Sequence, residues 1–487
     1  MKEETRVHLL DSNIITNNNL HKLDDDANNN NNNADEAAIV DSLNITPTLL
    51  LTTFFTLLGS LSLGFTIGYI APVQSEIIEE LGLSTSENSL FVSINNVGSA
   101  MGAILCGKLA DYLGRRRALG LADILYVLGW LSIAVAQDAW LLDLGRWMLG
   151  VAMSICTFVI PIYIAEFAPQ NLRGGFVVLY MLMCSVGSSL VFLLGLIVPW
   201  RTLALIGIIP SLVQIISVFF IPESPRWLMM IGKNEEFEAA LRQFRGAAAD
   251  ISQEVFDIKM SAEALQEKPK VSLLQLLQKK YAYTLTVGIG LIAFSVLVGV
   301  TGVLAYSRSI FESAGLSGIT GMVSLSVMQL PSVVLAIILT DKCGRRPLLM
   351  ISSVGVCVGC LLTASAFTFQ DYRVLERFSP YIALIGILVY FGAYAIGLGG
   401  VPYVIVSEIF PLNIKGLAGS ITSLVGALLG WLVVYAFNFS LEWSSSGTFF
   451  VLAGVSGMTL IFVARLVPET KGKTLEEIHL QMSSVWQ

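Results

Sequence analysis

Three sets of charged residues recur, in the same order, along the chain. Asp111-Tyr-Leu-Gly114-Arg115-Arg116 returns 230 positions later as Asp341-Lys-Cys-Gly344-Arg345-Arg346. Glu166-Phe-Ala-Pro169 with Arg173-Gly174 returns 242 positions later as Glu408-Ile-Phe-Pro411 with Lys415-Gly416. Pro222-Glu223-Ser224 returns 246 positions later as Pro468-Glu469-Thr470. Carboxylates and guanidiniums pair through short, charge-assisted hydrogen bonds. Between neighbouring helices such pairs can hold one conformation and release in another, because differential contacts set a two-state balance. The expected network is Asp111, Arg115, Arg116, Glu166, Arg173, Glu223, Arg226, Asp341, Arg345, Arg346, Glu408 and Glu469. A plainer reading is that these charges anchor short loops and set topology. Gly114 and Gly344 would permit tight turns between two helices.

Composition names the medium in which these charges sit. Of 487 residues, 54% are hydrophobic and 13% charged, against about 25% charged in an ordinary soluble domain. Mean hydropathy is +0.72. A soluble enzyme and a disordered chain are both excluded. A bilayer core about 30 Å thick needs about 20 apolar residues per helix. Runs that meet this lie at 48–71, 88–108, 117–137, 143–165, 175–198, 201–221, 284–306, 318–340, 347–368, 381–406, 417–438 and 446–467. The expected fold is therefore an all-α membrane protein of twelve transmembrane helices. The polar segment 222–283, in which short helices are expected, divides a bundle at 48–221 from one at 284–467. With the motifs repeating at a nearly constant offset, the halves read as parallel six-helix repeats with a site between them.

Basic residues set the orientation. Lys108, Arg115, Arg116, Arg117, Lys342, Arg345 and Arg346 share one side, with the linker and both tails, 1–47 and 468–487. Arg201, Arg308, Arg373 and Arg377 lie on the other. Both termini are therefore expected in the cytoplasm, and a loop near Glu76, Glu79, Glu80 and Glu87 outside or in a lumen. The first tail holds nine acids against Lys2, Arg6 and Lys22, so it carries most of the net charge of −7. With its run Asn28 to Asn33 it reads as disordered. No basic surface suits nucleic acid. Three histidines, two of them (His8 and His21) in the tail, give no zinc spacing, and no cofactor is expected. Neither a nucleophile–base–orienter set nor a phosphate loop is found.

Further motifs sharpen the reading. Gly145-Arg146, Pro161-Ile-Tyr163-Ile-Ala-Glu166, Pro222-Glu-Ser-Pro-Arg226-Trp-Leu228, Ser407-Glu408-Ile-Phe-Pro411 and Pro468-Glu-Thr-Lys471-Gly472 join those above. Together they resemble the sugar porter family of the major facilitator superfamily from about residue 48 to 478. Asp143-Leu-Gly-Arg146, Phe237-Glu-Ala-Ala-Leu241, Trp443-Ser-Ser and Gly399-Gly400-Val-Pro402 most resemble the plant early-response-to-dehydration-six-like monosaccharide carriers. That resemblance implies a hexose facilitator of the vacuolar membrane. It also marks Arg146 as a family position.

The resemblance weakens where the family binds sugar. Its helix 5 Gln is Met181 here, its helix 7 Gln pair is Ser295-Val296, and the Asn that follows is Thr301. Its helix 10 Trp is Tyr403, and a helix 11 Trp is Ala427. The lining expected by this resemblance is Ser295, Thr301, Tyr306, Gln329, Tyr394 and Tyr403, although ordinary helix packing would also account for the tyrosines. An amide side chain offers a sugar hydroxyl both a donor and an acceptor. Losing amides predicts altered or weak hexose binding. Proton-coupled members place an Asp in helix 1, where the run Leu63-Gly-Phe-Thr66-Ile-Gly68 has a residue that cannot titrate. Asp123 lies inside span 3, either as a structural partner or snorkelling to the surface.

The expected function is alternating-access transport of a neutral small solute, a monosaccharide or related polyol, by facilitated diffusion. A sugar sensor with a degenerate pocket and a proton-coupled symporter are the alternatives. Gly399, Gly400 and Pro402 would let helix 10 bend during gating. Glu3-Glu4 before Leu9-Leu10 resembles an acidic di-leucine signal, which would bring sorting adaptors and an endomembrane address.

Overall fold

The computed structural model describes residues 46–246, 249–266, 278–372, 377–410 and 414–471. Leu9 and Leu10 lie outside them, as do the side chains of Arg173 and Asp341. No strand occurs among the described residues. The first half comprises α1 (Pro47–Gly68), α2 (Ile70–Leu81), α3 (Thr85–Leu113), α4 (Arg115–Ala134), α5 (Ala139–Phe167), α6 (Gln170–Leu194) and α7 (Trp200–Ser217). Three helices follow on the linker: α8 (Pro225–Met230), α9 (Asn234–Arg245) and α10 (Ser252–Gln266). The second half comprises α11 (Lys279–Leu297), α12 (Val300–Ala305), α13 (Ser307–Ser313), α14 (Gly318–Lys342), α15 (Arg345–Asp371), α16 (Ser379–Ile396), α17 (Val401–Ile409), α18 (Lys415–Trp443) and α19 (Ser445–Leu466). Among the described residues eleven helical spans are long and apolar enough to cross a membrane, and the remaining expected span falls on the shorter Val178–Leu194.

Local chemistry sets the boundaries. Thr46 caps α1, accepting from the Leu49 N–H, with Pro47 in the first turn. Ser84 and Glu87 form a capping box at α3, satisfying two otherwise orphaned donors. Asp138 caps α5. The acids expected near a loop are themselves helical. Glu76, Glu79 and Glu80 lie on α2, and Glu87 opens α3. Glu80 accepts from the Trp200 indole at 2.7 Å and from Arg201 at 2.9 Å, which ties α2 to the start of α7. These bonds hold the Glu80 carboxyl below the usual range.

The two halves meet along α3 with α18 and α6 with α14. The sequence repeat maps α3 onto α14 and α6 onto α18, so these are one contact seen twice, as a pseudo-twofold axis requires. Asn438, near the end of α18, donates to Ser89 Oγ, near the start of α3, at 3.1 Å. The two helices are therefore antiparallel. The end of α3 shares one end of the molecule with the start of α18, and both sets of repeated charges lie there. Within the first half α1 and α6 cross with backbone nearly touching, for a Cβ on Gly64 would sit 1.8 Å from the Cys184 carbonyl oxygen. Small residues permit this approach in membrane bundles.

Two helices of the second half are broken. α11 stops before Gly299, whose φ of 89° suits glycine; no glycine–proline cluster marks this site. The carbonyl of Val298 accepts from the Tyr390 hydroxyl at 3.0 Å. α16 ends before Gly397–Gly400, and α17 resumes at Val401 with Pro402 in its first turn. Ser352 Oγ accepts from the freed Leu398 N–H at 3.0 Å and donates to the Ala393 carbonyl at 2.7 Å. Broken helices persist in a membrane when neighbours re-satisfy the backbone in this way.

Candidate functional site: two charge clasps and a central cleft

In the first clasp Arg115 is 6% exposed. Its Nε and Nη2 donate to the two oxygens of Glu166 at 2.9 and 3.0 Å, and Nη1 reaches the Ala110 carbonyl at 3.0 Å and Asp111 at 3.3 Å. Asp111 is mostly exposed and adds little. Glu223 pairs with backbone, not with a guanidinium. Its Oε1 accepts from the N–H groups of Arg115, Arg116 and Ser224 at 3.0, 3.1 and 2.9 Å. It thus caps α4, satisfying orphaned donors at the positive end of the helix. Burial pushes the Glu223 carboxyl up, outweighing these bonds and the Arg116 charge.

Other members of the motifs take part that charge patterning did not single out. Ser224 Oγ donates to Glu166 at 2.6 Å and accepts from Trp227 N, capping α8. The Trp227 indole donates to the Asp111 carbonyl at 2.8 Å, and the Tyr163 hydroxyl donates to the Pro222 carbonyl. Arg116 turns to the Ile221 carbonyl, and Arg226 is exposed. The Pro-Glu-Ser-Pro-Arg-Trp run is thus a set of caps and carbonyl ligands.

The second clasp repeats the plan more loosely. Arg345 meets Glu408 through one bond of 3.3 Å. Arg345 Nε, Glu408 Oε2 and Thr470 Oγ1 have no hydrogen-bond partner, so the counterpart of the Ser224–Glu166 bond is unmade. Glu469 caps α15 with both oxygens: Oε1 accepts from Arg345 N and Lys471 N, and Oε2 from Arg346 N at 3.1 Å. Arg346 donates to the Ala464 carbonyl. Burial raises the Glu469 carboxyl, but the N–H groups of Lys471, Arg345 and Arg346 outweigh it and hold the group below the usual range. The tight-turn argument holds at Gly114, with φ of 90°, but not at Gly344, with φ of −68°. Both glycines make room for the capping acid, since a Cβ would stand 2.5 Å from Glu223 Oε2 or 2.4 Å from Glu469 Oε2.

Each clasp is built inside its own half. Hydrogen bonds between halves lie elsewhere. Thr85 Oγ1 reaches Glu442 at 3.0 Å, Asn438 reaches Ser89, and Arg308 Nη1 reaches the Pro72 carbonyl at 2.6 Å. These are at the end opposite the clasps. At mid-depth Ser189 Oγ donates to Gln329 Oε1 at 3.1 Å, joining α6 to α14.

The six residues expected to line one pocket are dispersed. Tyr394 and Tyr403 flank the break between α16 and α17. Tyr403, 56% exposed, stands near Tyr394 and near Tyr180 of the first half, so these three face the cleft between the halves. Gln329 is held by Ser189. Ser295 is 1% exposed and its hydroxyl is bonded to its own helix at Ile292. Thr301 is exposed just beyond the Gly299 break. Tyr306 is 2% exposed and stands near Ser89 at the far end. Tyr180 carries no charge and belongs to none of the repeated motifs, so patterning gave it no signal.

Arg146 and Asp123, besides Arg115, are buried charged-type residues of the first half. Arg146, 4% exposed, donates Nη1 to the Thr66 carbonyl at 3.2 Å and stands 6.0 Å from the Phe91 ring centroid. Asp123 is fully buried and neither carboxyl oxygen has a hydrogen-bond partner. It therefore does not snorkel, because α4 packs it inward against the bundle.

Comparison with known proteins agrees with this architecture. The family model described as "Sugar (and other) transporter" matches residues 52–481. "Sugar transporter ERD6-like 10" of Arabidopsis thaliana is 44% identical over 443 residues, 91% of this chain and 97% of that protein. "Sugar transporter ERD6-like 16" of the same plant is 44% identical over 430 residues, 88% and 89% of the two chains. A structure of the proton:xylose symporter XylE, a major facilitator protein, with 6-bromo-6-deoxy-D-glucose bound superposes with a TM-score of 0.72 at 26% identity, covering 90% of this chain and 99% of that one. The inward-open xylose transporter XylE from E. coli gives 0.75 at 26% identity, covering 88% and 99%. With its apolar helices, its repeat-related halves and this extent of likeness, the chain belongs to the sugar transporter family of multi-pass major facilitator membrane proteins.

Proposed function

We propose that this carrier moves a neutral monosaccharide or related polyol by facilitated diffusion, its halves alternating access to the central cleft. The relatives' names support a sugar as solute. The environment of Arg146 carries the proposal of uniport. On the helix where proton-coupled members hold an acid, the residue is Thr66, and Arg146 is answered by that residue's backbone carbonyl. A guanidinium answered by a backbone carbonyl lacks there the titratable partner through which a proton would be taken up and released. Tyr180, Gln329, Tyr394 and Tyr403 form the proposed lining. The clasp residues set the packing of the basic end as the halves move; a gating role for Arg173, Arg226 and Asp341 rests on their place in the motifs. Positive-inside bias supports cytoplasmic termini, and Leu9-Leu10 supports a vacuolar or other endomembrane address. Relocation to the plasma membrane on Leu9→Ala plus Leu10→Ala is expected; an unchanged location removes the sorting role.

The test is flux in proteoliposomes with a panel of hexoses, pentoses and polyols, with and without an imposed pH gradient. Saturable equilibration that ignores the gradient is expected. Accumulation driven by the gradient would overturn uniport, and binding without flux would make the protein a sensor.

A further inference from the structure

At the end opposite the clasps a cavity of about 400 Å³ lies between the halves, within the range of small-molecule sites. Its mouth is exposed at Ser84, Ser313 and Glu442, and its floor is buried and polar. Gln74 and Asn88 of the first half are each 4% exposed. Gln74 Nε2 donates to Asn88 Oδ1 at 3.2 Å, which leaves the Gln74 carbonyl as an acceptor and the Asn88 amide nitrogen as a donor. Across the cavity stand Tyr306, Ser309 and Asn438. Asn438 spends its nitrogen on Ser89, leaving its carbonyl. The Tyr306 hydroxyl is buried without a hydrogen-bond partner. Ser89 lies beside it; its hydroxyl donates to the Thr85 carbonyl and accepts from Asn438, keeping one lone pair.

Polar groups that face a cavity are costly to desolvate unpaired, and an apolar occupant would do that to these. An anion is disfavoured because Glu442 is the one charged side chain of the lining. What answers paired amides and a phenol at once is a set of hydroxyls, each both donor and acceptor. We propose that this cavity is a second binding station for a neutral polyhydroxylated solute, held between both halves and separate from the central cleft. The proposal rests on the reading of the chain as a sugar carrier. Because its walls come from both halves, the station exists only while this end is closed. A solute bound there therefore favours the closed state, and a high concentration on that side slows turnover.

The test is titration of 3-fluoro-3-deoxy-D-glucose into the purified full-length protein, followed by fluorine NMR. Two saturable components are expected. Ser309→Trp, which fills the cavity, should abolish one and spare the other; Gln329→Leu in the cleft should do the reverse. A single component indifferent to Ser309→Trp would overturn the second station and leave the carrier reading intact. No saturable component would remove the sugar reading as well. If Ser309→Trp yields no folded protein, Ser309→Val with Ser445→Val must weaken the same component by about threefold or more; unchanged binding then overturns the proposal.

Discussion

Truncating the two clasp arginines should have unequal effects, although sequence writes them as equivalents. Arg115→Ala leaves Glu166, whose side chain is 11% exposed, with the Ser224 hydroxyl as its remaining partner. Removing one member of a buried pair costs about 3–5 kcal/mol. The surviving bond offsets about 1 kcal/mol, so a loss of about 2–4 kcal/mol is expected. Arg345→Ala breaks one 3.3 Å bond between side chains 20% and 26% exposed, and such a pair contributes about 1 kcal/mol. The gap of about 2 kcal/mol is roughly thirtyfold in an equilibrium constant. Equilibrium unfolding in mixed detergent micelles measures it. Double-mutant cycles with Glu166→Ala and Glu408→Ala isolate each pair from its surroundings. Equal coupling in the two halves, or a stronger Arg345–Glu408 term, would refute the claim that the first clasp is the tighter one.

The capping acids should separate under amide substitution. Glu223→Gln keeps one oxygen for the three N–H groups it serves and should preserve the melting temperature at neutral pH. Glu469→Gln turns an NH2 towards the Arg346 N–H and should cost about 1–3 kcal/mol. Acid should act on the two in opposite senses. Glu469 has a folded value below its unfolded one, so its contribution is complete above the ordinary carboxylate range and fades as pH falls through the lowered value. Glu223 has a folded value above its unfolded one, so its contribution is greatest below the ordinary range and is lost as pH rises through the raised value. Melting curves of the two Gln variants across pH 4 to 8 check both signs. Asp123→Asn keeps the shape of a buried group that no partner compensates, so thermal stability should hold or rise; a clear loss would reveal a compensated carboxylate. Ser352→Ala removes the acceptor for Leu398 N and should slow flux more than it lowers expression, since it frees backbone at the helix 10 break; equal losses would give Ser352 a folding role alone.

The twelve spans and the repeat were legible because each follows from one-dimensional signals: runs of apolar residues and motifs at constant offset. Gly399, Gly400 and Pro402 likewise announced the break between α16 and α17. The break at Gly299 was not announced, because a lone glycine in an apolar run is common and its left-handed φ depends on Tyr390 arriving from another helix to take the Val298 carbonyl. The same limit applies to Glu223 and Glu469. Their charge suggested guanidinium partners, whereas the groups nearest them are backbone N–H donors created by the folding of α4 and α15. Helical α2 was missed since its acids break the apolar run, and what stabilises them, Trp200 and Arg201, lies more than a hundred residues away. Tyr306 was grouped with Tyr403 on the family resemblance alone; in the structure it lies beyond the Gly299 break, at the far end.

The placement of the bonds says which parts move together. Within the first half, Arg115, Glu166, Glu223, Ser224 and Trp227 tie α3, α4, α5 and α8 through a continuous chain of buried hydrogen bonds, so deforming that half would expose several charged groups at once. Among the described residues four side chains donate between halves: Thr85 to Glu442, Asn438 to Ser89 and the Thr85 carbonyl, Arg308 to the Pro72 carbonyl, and Ser189 to Gln329 and the Ser326 carbonyl. At about 0.5–1.5 kcal/mol for each donor group, they total about 2–6 kcal/mol, the scale of a difference between two populated conformations. Opening the far end therefore breaks the weak set and leaves the strong one whole. A carrier built this way exchanges conformations by moving halves as bodies, with the strain of that motion falling on the breaks in α11–α12 and α16–α17, where glycine and side-chain hydroxyls already stand in for helical hydrogen bonds.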